Sequence, residues 1–161
     1  MPVSSDLLVK FYKLNTALIH RQLNGISHDE SLLIPPFGGN CINWIIGHIL
    51  TNRDACLEVM SLPRLLTPEE NEVYTRGSLP LVDAAQAIDL ALLLEKVDLS
   101  LNQIIAAIEE RNEQQLAQPV TFGVKLQPLN EVLHFLMWHE TYHTGQLEFL
   151  RQFTGRNEKI I

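Results

Sequence analysis

Apolar side chains recur every three to four residues in four separate stretches of this chain, the spacing that lays one face of an α-helix on a core. In the first stretch Leu7, Leu8, Phe11, Leu14, Asn15, Leu18, Ile19 and Leu23 keep helical phase. Ser4 or Ser5 offers a hydroxyl to the orphan N–H groups at its start, and Gly25 is placed to stop it. Residues 34–40 hold two prolines and two glycines, which exclude a regular element there. The second helix is expected from Cys41 to about Leu62, capped by Asn40 and punctuated by Pro63 and Pro68. The third begins between Leu81 and Asp89 and reaches about Arg111, with Leu92, Leu93, Val97, Leu101, Ile104, Ile105 and Ile108 as its stripe. The fourth opens with Pro128 in its first turn and closes at Gly155, with Val132, Phe135, Leu136, His139, His143, Gln146, Leu147 and Leu150 on one face.

Residues 62–80 are the least patterned part of the chain, with one turn of helix expected near 69–73. A connection that long between helices indicates a crossover, since hairpin neighbours need only a few residues. Residues 112–118 read as a frayed helix end, and 119–124 as a short extended piece with too little β character for a sheet. The expectation is an all-α, four-helix bundle formed by residues 1–161 as one domain.

The chemistry concentrates in His139-Glu140-Thr141-Tyr142-His143. Histidines four apart stand on one helix face about one turn from each other, and neutral imidazoles so placed can hold one metal ion from one side. A third candidate comes from the second helix, where Cys41, Trp44, Ile45, His48, Thr51 and Asn52 fall within about 60° of one face at roughly 100° per residue. Such a mixture is unusual for a purely structural face. Gly47 and Gly145, beside His48 and His143, leave room for a close neighbour or a ligand. The candidate metal ligands are therefore His48, His139 and His143. Three imidazoles with open positions suit a catalytic zinc-type site, and equally nickel or iron(II).

Around them, Gln146 and Asn52 share the ligand faces, where Gln146 is able to orient a ligand histidine or a water. Glu140 lies about 80° off the ligand direction, either as an acid or base or as an interhelical or dimer-interface partner. His134 is about 140° round the helix from His139 and is excluded. His20 reads as a surface or boundary residue, His28 as a loop or capping residue, and Trp138 and Tyr142 as packing residues.

The same five residues spell the His-Glu-x-x-His signature of zinc peptidases, in which the glutamate is the general base. Those enzymes take a third ligand from downstream, but no histidine follows His143 and the only acids there are Glu148 and Glu158. Gln146 and Phe149 stand where the extended signature needs Gly and His. The peptidase reading is the remote alternative.

Composition narrows the partners. Hydrophobic residues make up 46% and charged residues 19%, which suits a packed globular chain, and a net charge of -7 argues against nucleic acid or an anionic membrane as partner. A small-molecule substrate and other protein subunits remain. Met1 to Asp6 lack a secretory pattern, and no apolar run approaches the roughly 18 residues of a membrane span, so a cytoplasmic location is expected. Cys41 and Cys56 would stand roughly 22 Å apart along one helix, far beyond the about 7 Å a disulfide allows, and are expected as reduced thiols. Cys41 is also about 10 Å from His48 along the helix, too far for a shared ion, and reads as a small buried hydrophobe.

Two segments resemble a known family. Asn43-Trp44-Ile45-Ile46-Gly47-His48-Ile49-Leu50 is similar to the second-helix motif of the DinB/YfiT-like superfamily, and His139-Glu140-Thr141-Tyr142-His143-Thr144-Gly145-Gln146-Leu147 to its final-helix motif. The resemblance implies an up-down-down-up bundle, commonly a homodimer, with nickel or zinc on His48, His139 and His143. It also implies a metal-dependent enzyme acting on a small molecule, either a transferase that uses a low-molecular-weight thiol as cofactor or a hydrolase that activates water. The competing implication is a metal-binding or stress-induced helical dimer without turnover.

Overall fold

The computed structural model describes residues 4–160; Met1 to Val3, part of the start expected to lack a leader, and Ile161 lie outside it. Four long helices carry the architecture: α1 (Ser5–Leu23), α3 (Ile42–Val59), α5 (Leu90–Glu109) and α7 (Leu129–Arg151). Three short ones fill the connections: α2 (His28–Ser31), α4 (Pro68–Tyr74) and α6 (Glu113–Leu116). Each of the three is closed at its start by a reciprocal capping box, Ser27 with Glu30, Thr67 with Glu70 and Asn112 with Gln115. Such a box satisfies two orphan donors at once, which is why segments this short hold a helical turn. The third box corrects the expected frayed end after Arg111.

Several boundaries differ from the expected ones for local reasons. Ser4 occupies the N-cap of α1, but its hydroxyl makes no capping bond. Cys41, not Asn40, is the N-cap residue of α3. Pro128 precedes α7 rather than sitting in its first turn, because it closes a strand. That strand, β2 (Lys125–Pro128), pairs antiparallel with β1 (Pro119–Phe122) in a hairpin turning at Gly123 and Val124. The extended piece after α6 therefore does form a two-stranded sheet. In α5 the buried stripe is Leu93, Val97, Ile104 and Ile108, while Leu92 is exposed.

Hydrogen bonds between helices fix their directions. Tyr12 reaches Leu133 O while Asn15 meets Thr141, so α1 and α7 run parallel. Asn43 bonds Ile88 O and Arg53 bonds Val97 O, so α3 and α5 run parallel. His20 meets Asp98, and the start of α1 faces Ile108 and Glu109, so α1 and α5 are antiparallel. The result is an up-down-down-up bundle in which the segment from α3 to α5 is a full crossover.

The core divides into two apolar clusters. One gathers Ile19, Ile46, Ile49, Leu50, Leu93 and Leu147; the other gathers Leu8, Leu57, Ile104, Ile108, Leu133 and Leu136. Each such side chain contributes about 1.5–3 kcal/mol on burial. Between them lies a polar layer. Arg53, wholly buried on α3, donates two bonds to Glu140 on α7, one each to Val97 O and Ser100 on α5, and one to Thr16 on α1. All five guanidinium N–H groups are used, so the desolvated charge leaves none of its donors unmet. This layer joins all four long helices. With about 100° between successive residues, aiming Glu140 at Arg53 turns His139 and His143 onto the adjoining flank of α7.

Candidate metal centre

His48, His139 and His143 meet on the α3–α7 seam. One ring nitrogen from each lies within 4.8 Å of the others. The ring centroids stand 4.7 Å apart for His48 and His143, 5.3 Å for His48 and His139, and 4.5 Å for His139 and His143.

Two of the rings are held through their far nitrogens. Nδ1 of His48 donates to Tyr74 O at 2.8 Å, because a carbonyl only accepts. That leaves its Nε2 as a lone pair directed at the cluster. The indole of Trp44 stacks on the same ring at 4.8 Å and 14°, and is itself tied to Val73 O and Ser78. Tyr74 comes close because residue 47 is glycine: a Cβ there would stand 2.1 Å from the Tyr74 ring. Nδ1 of His143 meets Gln146 Oε1 at 2.7 Å, again leaving Nε2 for the cluster. Support of this kind sets the tautomer and ring angle of a ligand histidine. Among the described residues Nδ1 of His139 is buried without a partner.

Burial keeps all three rings neutral. It lowers His48, with the Arg76 charge adding to the effect and the bond to Tyr74 O opposing it. Burial also lowers His139, helped by repulsion from His48 when that ring is protonated and by the Arg76 charge. His143 is pushed down to about 4, chiefly by burial. A cation has no proton to displace from such rings near neutral pH. Nitrogens about 2.0–2.1 Å from a tetrahedral ion stand about 3.3–3.4 Å apart. The Nε2 atoms of His139 and His143 are 3.2 Å apart, which fits. The donor set, three imidazoles and no carboxylate, suits a borderline divalent ion of the zinc or nickel kind.

The cluster opens into a cavity of about 610 Å³. Its walls come from the loop carrying Pro35, Phe37, Gly38, Gly39 and Asn40, from Trp44 and Ile45, from Arg76, and from Tyr142, Gln146, Phe149 and Leu150. Phe37 and Phe149, both on the cavity wall, pack against each other and against Phe153 at 5.5–5.7 Å.

Other candidate residues fall elsewhere. Glu140 does not line the cavity; it is buried and bound by Arg53, which removes it as an acid or base and removes the general base a zinc peptidase requires. It is the interhelical partner, not a dimer contact. Asn52 donates to His48 O within its own helix and lies outside the cavity wall. Trp138 and Tyr142 are each 57% exposed and so are not packing residues; Tyr142 lines the cavity. Both cysteines are free and buried. Three participants were missed by the sequence reading: Tyr74, Arg76 and the Phe37 loop. All lie in connections, where no periodicity marks them.

A family model described as the DinB superfamily matches residues 12–147. The chain belongs to the DinB superfamily. No curated protein matches it. Among solved structures, a DinB-like protein from Bacillus cereus superposes with a TM-score of 0.71 at 15% identity, covering 96% of this chain and 95% of its own. A conserved protein from Enterococcus faecalis gives 0.74 at 14% identity, covering 97% and 99%. A mycothiol-dependent maleylpyruvate isomerase gives 0.64 at 20% identity, over 90% of this chain and 61% of that one. At these identities the likeness is one of fold. Among the described residues of this DinB-superfamily chain, no helix is long and apolar enough to cross a membrane.

Proposed function

We propose that this DinB-superfamily chain is a divalent-metal-dependent enzyme acting on a small molecule, with His48, His139 and His143 as ligands and a low-molecular-weight thiol as co-substrate. The observation that carries the reading is the direction of the imidazoles: His48 and His143 are anchored by their far nitrogens and turn their near ones into an open cavity. Zinc or nickel fits the donors. A bound cation of this kind lowers the pKa of a thiol, so that thiolate is present near neutral pH. Thiol use is supported by the fold shared with an isomerase described as mycothiol-dependent. A hydrolase that activates its water with a carboxylate base would need one at the site. Glu140 is withdrawn into the core and no acid lines the cavity, which favours the thiol reading over hydrolysis.

The chain's own residues bind and shield. Tyr74 O and Gln146 hold the ligand rings, while Trp44 and the phenylalanines of the cavity wall keep water from one side of the site. The same reading makes residues 1–161 one bundle domain in the cytoplasm, consistent with two reduced cysteines. It also pairs the bundles as a homodimer through apolar side chains exposed on α7, Phe135 and Trp138 among them. Sedimentation as an 18.3 kDa monomer would count against that pairing.

The test is elemental analysis of the wild type beside His48→Ala and His139→Ala, followed by a thiol-dependent activity screen. Near-stoichiometric metal in the wild type, lost in both variants, is the expected result. A wild type that is metal-free and cannot be reloaded with zinc or nickel overturns the proposal. Metal retained in His48→Ala alone removes the upstream ligand.

A further inference from the structure

The cavity differs in charge from the protein that encloses it. The chain carries 19 acidic and 12 basic residues, yet not one aspartate or glutamate lines the cavity. The one charged side chain on its wall is Arg76, and among the described residues its guanidinium makes no hydrogen bond and no ion pair. Every other arginine except Arg21 is engaged in a side-chain hydrogen bond. Arg76 is exposed, so solvent and salt screen it in part, but in an acidic protein an unpaired cation at the cavity beside three neutral imidazoles still makes a local positive field.

Arg76 is also presented rather than loosely attached. Two residues before it, the Tyr74 hydroxyl donates to Asn43, its ring lies on Gly47 and its carbonyl holds His48. Two residues after it, Ser78 accepts from Trp44 Nε1. Gly77, at φ 88°, makes the turn between. Both pins belong to the residues that position His48, so the guanidinium and the imidazole are carried on one framework. The same cavity has apolar wall from Phe37, Ile45, Phe149 and Leu150.

We infer that the cavity selects an organic anion, a carboxylate joined to an apolar or aromatic body, with Arg76 taking the carboxylate and the phenylalanine wall taking the body. A guanidinium presents paired donors that match a carboxylate, and an aromatic wall rewards a flat apolar body. The inference rests on this cavity being the reactive site of the proposed enzyme. The anion belongs either to the acceptor substrate or to the thiol itself, since both classes commonly carry carboxylates.

The test uses cinnamate, its neutral analogue cinnamamide, and acetate, titrated calorimetrically into metal-free wild type, Arg76→Gln and Arg76→Lys. Cinnamate is expected to bind wild type about ten-fold more tightly than cinnamamide does, a margin of about 1.4 kcal/mol, and acetate more weakly than both. Arg76→Gln should erase the margin without changing cinnamamide binding; Arg76→Lys should keep part of it, and raised salt should shrink it in wild type. Cinnamate binding no better than cinnamamide, or a margin that survives in Arg76→Gln, overturns the inference. Among the described residues the Arg76 side chain makes no hydrogen bond or ion pair, so circular dichroism of the variant is expected to match wild type. Zinc uptake measured on reloaded portions of the same preparations separates the two readings. Zinc taken up with no cinnamate margin sinks the anion site alone, and a margin in protein that cannot be loaded with zinc or nickel sinks the enzyme proposal alone. In the zinc-loaded protein, displacement of cinnamate by N-acetylcysteine assigns the anion to the thiol, and simultaneous binding assigns it to the substrate.

Discussion

Two polar clusters share one turn of α7, on adjoining flanks, and their bonding differs in kind. Around Arg53 every guanidinium N–H has a protein acceptor, and the Arg53–Glu140 pair is sealed, at 0% and 1% exposed. Around His48, His139 and His143 the outer nitrogens of two rings are held, while the inner ones meet only each other at the floor of a cavity. A buried polar group without a partner costs free energy, typically about 1–3 kcal/mol. The saturated cluster therefore fixes the arrangement of the helices, and the unsaturated one is directed at something the chain does not itself supply. Which of the two a charged or polar residue belongs to is decided by one step along the helix, as Glu140 and His139 illustrate.

The largest effect should come from breaking the saturated cluster. Arg53→Ala strands the Glu140 carboxylate in the core, and urea unfolding is expected to show a loss of about 3–5 kcal/mol. Adding Glu140→Leu to it should recover much of that loss, since removing both charges also removes the burial penalty. A double variant no more stable than the single would show that the pair is not the source of the cost.

Gly47→Ala tests how far the open cluster depends on its support. The new methyl meets the Tyr74 ring, which must move and take its carbonyl away from His48. A stability loss of about 1–3 kcal/mol is expected, together with weaker metal retention. Unchanged metal content would show that the Tyr74 contact is dispensable.

The metal-free protein should also respond to pH through the open cluster. Burial lowers all three imidazoles, His143 to about 4, against about 6.5 in an unfolded chain. Between those values the unfolded state takes up protons that the folded state refuses, so stability falls as pH drops through that window and levels off beneath it. His143 alone should contribute on the order of 2 kcal/mol between about pH 7 and about pH 5, read from chelator-treated protein by urea unfolding. His143→Gln should flatten the profile; a profile identical to wild type would assign it to other groups.

The smallest effect is expected from Gln146→Leu, which removes the acceptor for His143 Nδ1 at a partly exposed position. Metal affinity should weaken by about ten-fold in a chelator competition while the unfolding curve stays in place. Gln146→Glu, which keeps an acceptor, should restore it.

The comparison also explains what was legible in the chain. The four long helices could be read because their apolar residues repeat with helical period, and the three histidines because they ride on two of those helices. Arg53 could not be read as a core residue: its burial depends on Thr16, Val97, Ser100 and Glu140, which come from three other helices. Tyr74 serves His48 through a backbone carbonyl, and any residue type carries one of those. Arg76 sits in the least patterned connection. The second strand of the hairpin, Lys125 to Pro128, contains no β-branched residue and so left no trace of its pairing. Capping boxes at Ser27, Thr67 and Asn112 were legible in principle, each being a capping residue three before a Glu or Gln, and they were passed over because no long apolar run follows them.

The stack of Trp44 on His48 makes the protein its own optical probe. The chain has two tryptophans, one buried against a candidate ligand and one largely in solvent at position 138. Their emission should separate by colour, blue for the buried indole and red for the wet one. An open-shell ion such as nickel(II) at His48 would quench the blue component and spare the red, whereas closed-shell zinc would leave both bright. A single fluorescence titration thus reports occupancy of the centre and the electronic character of its occupant, with no label attached.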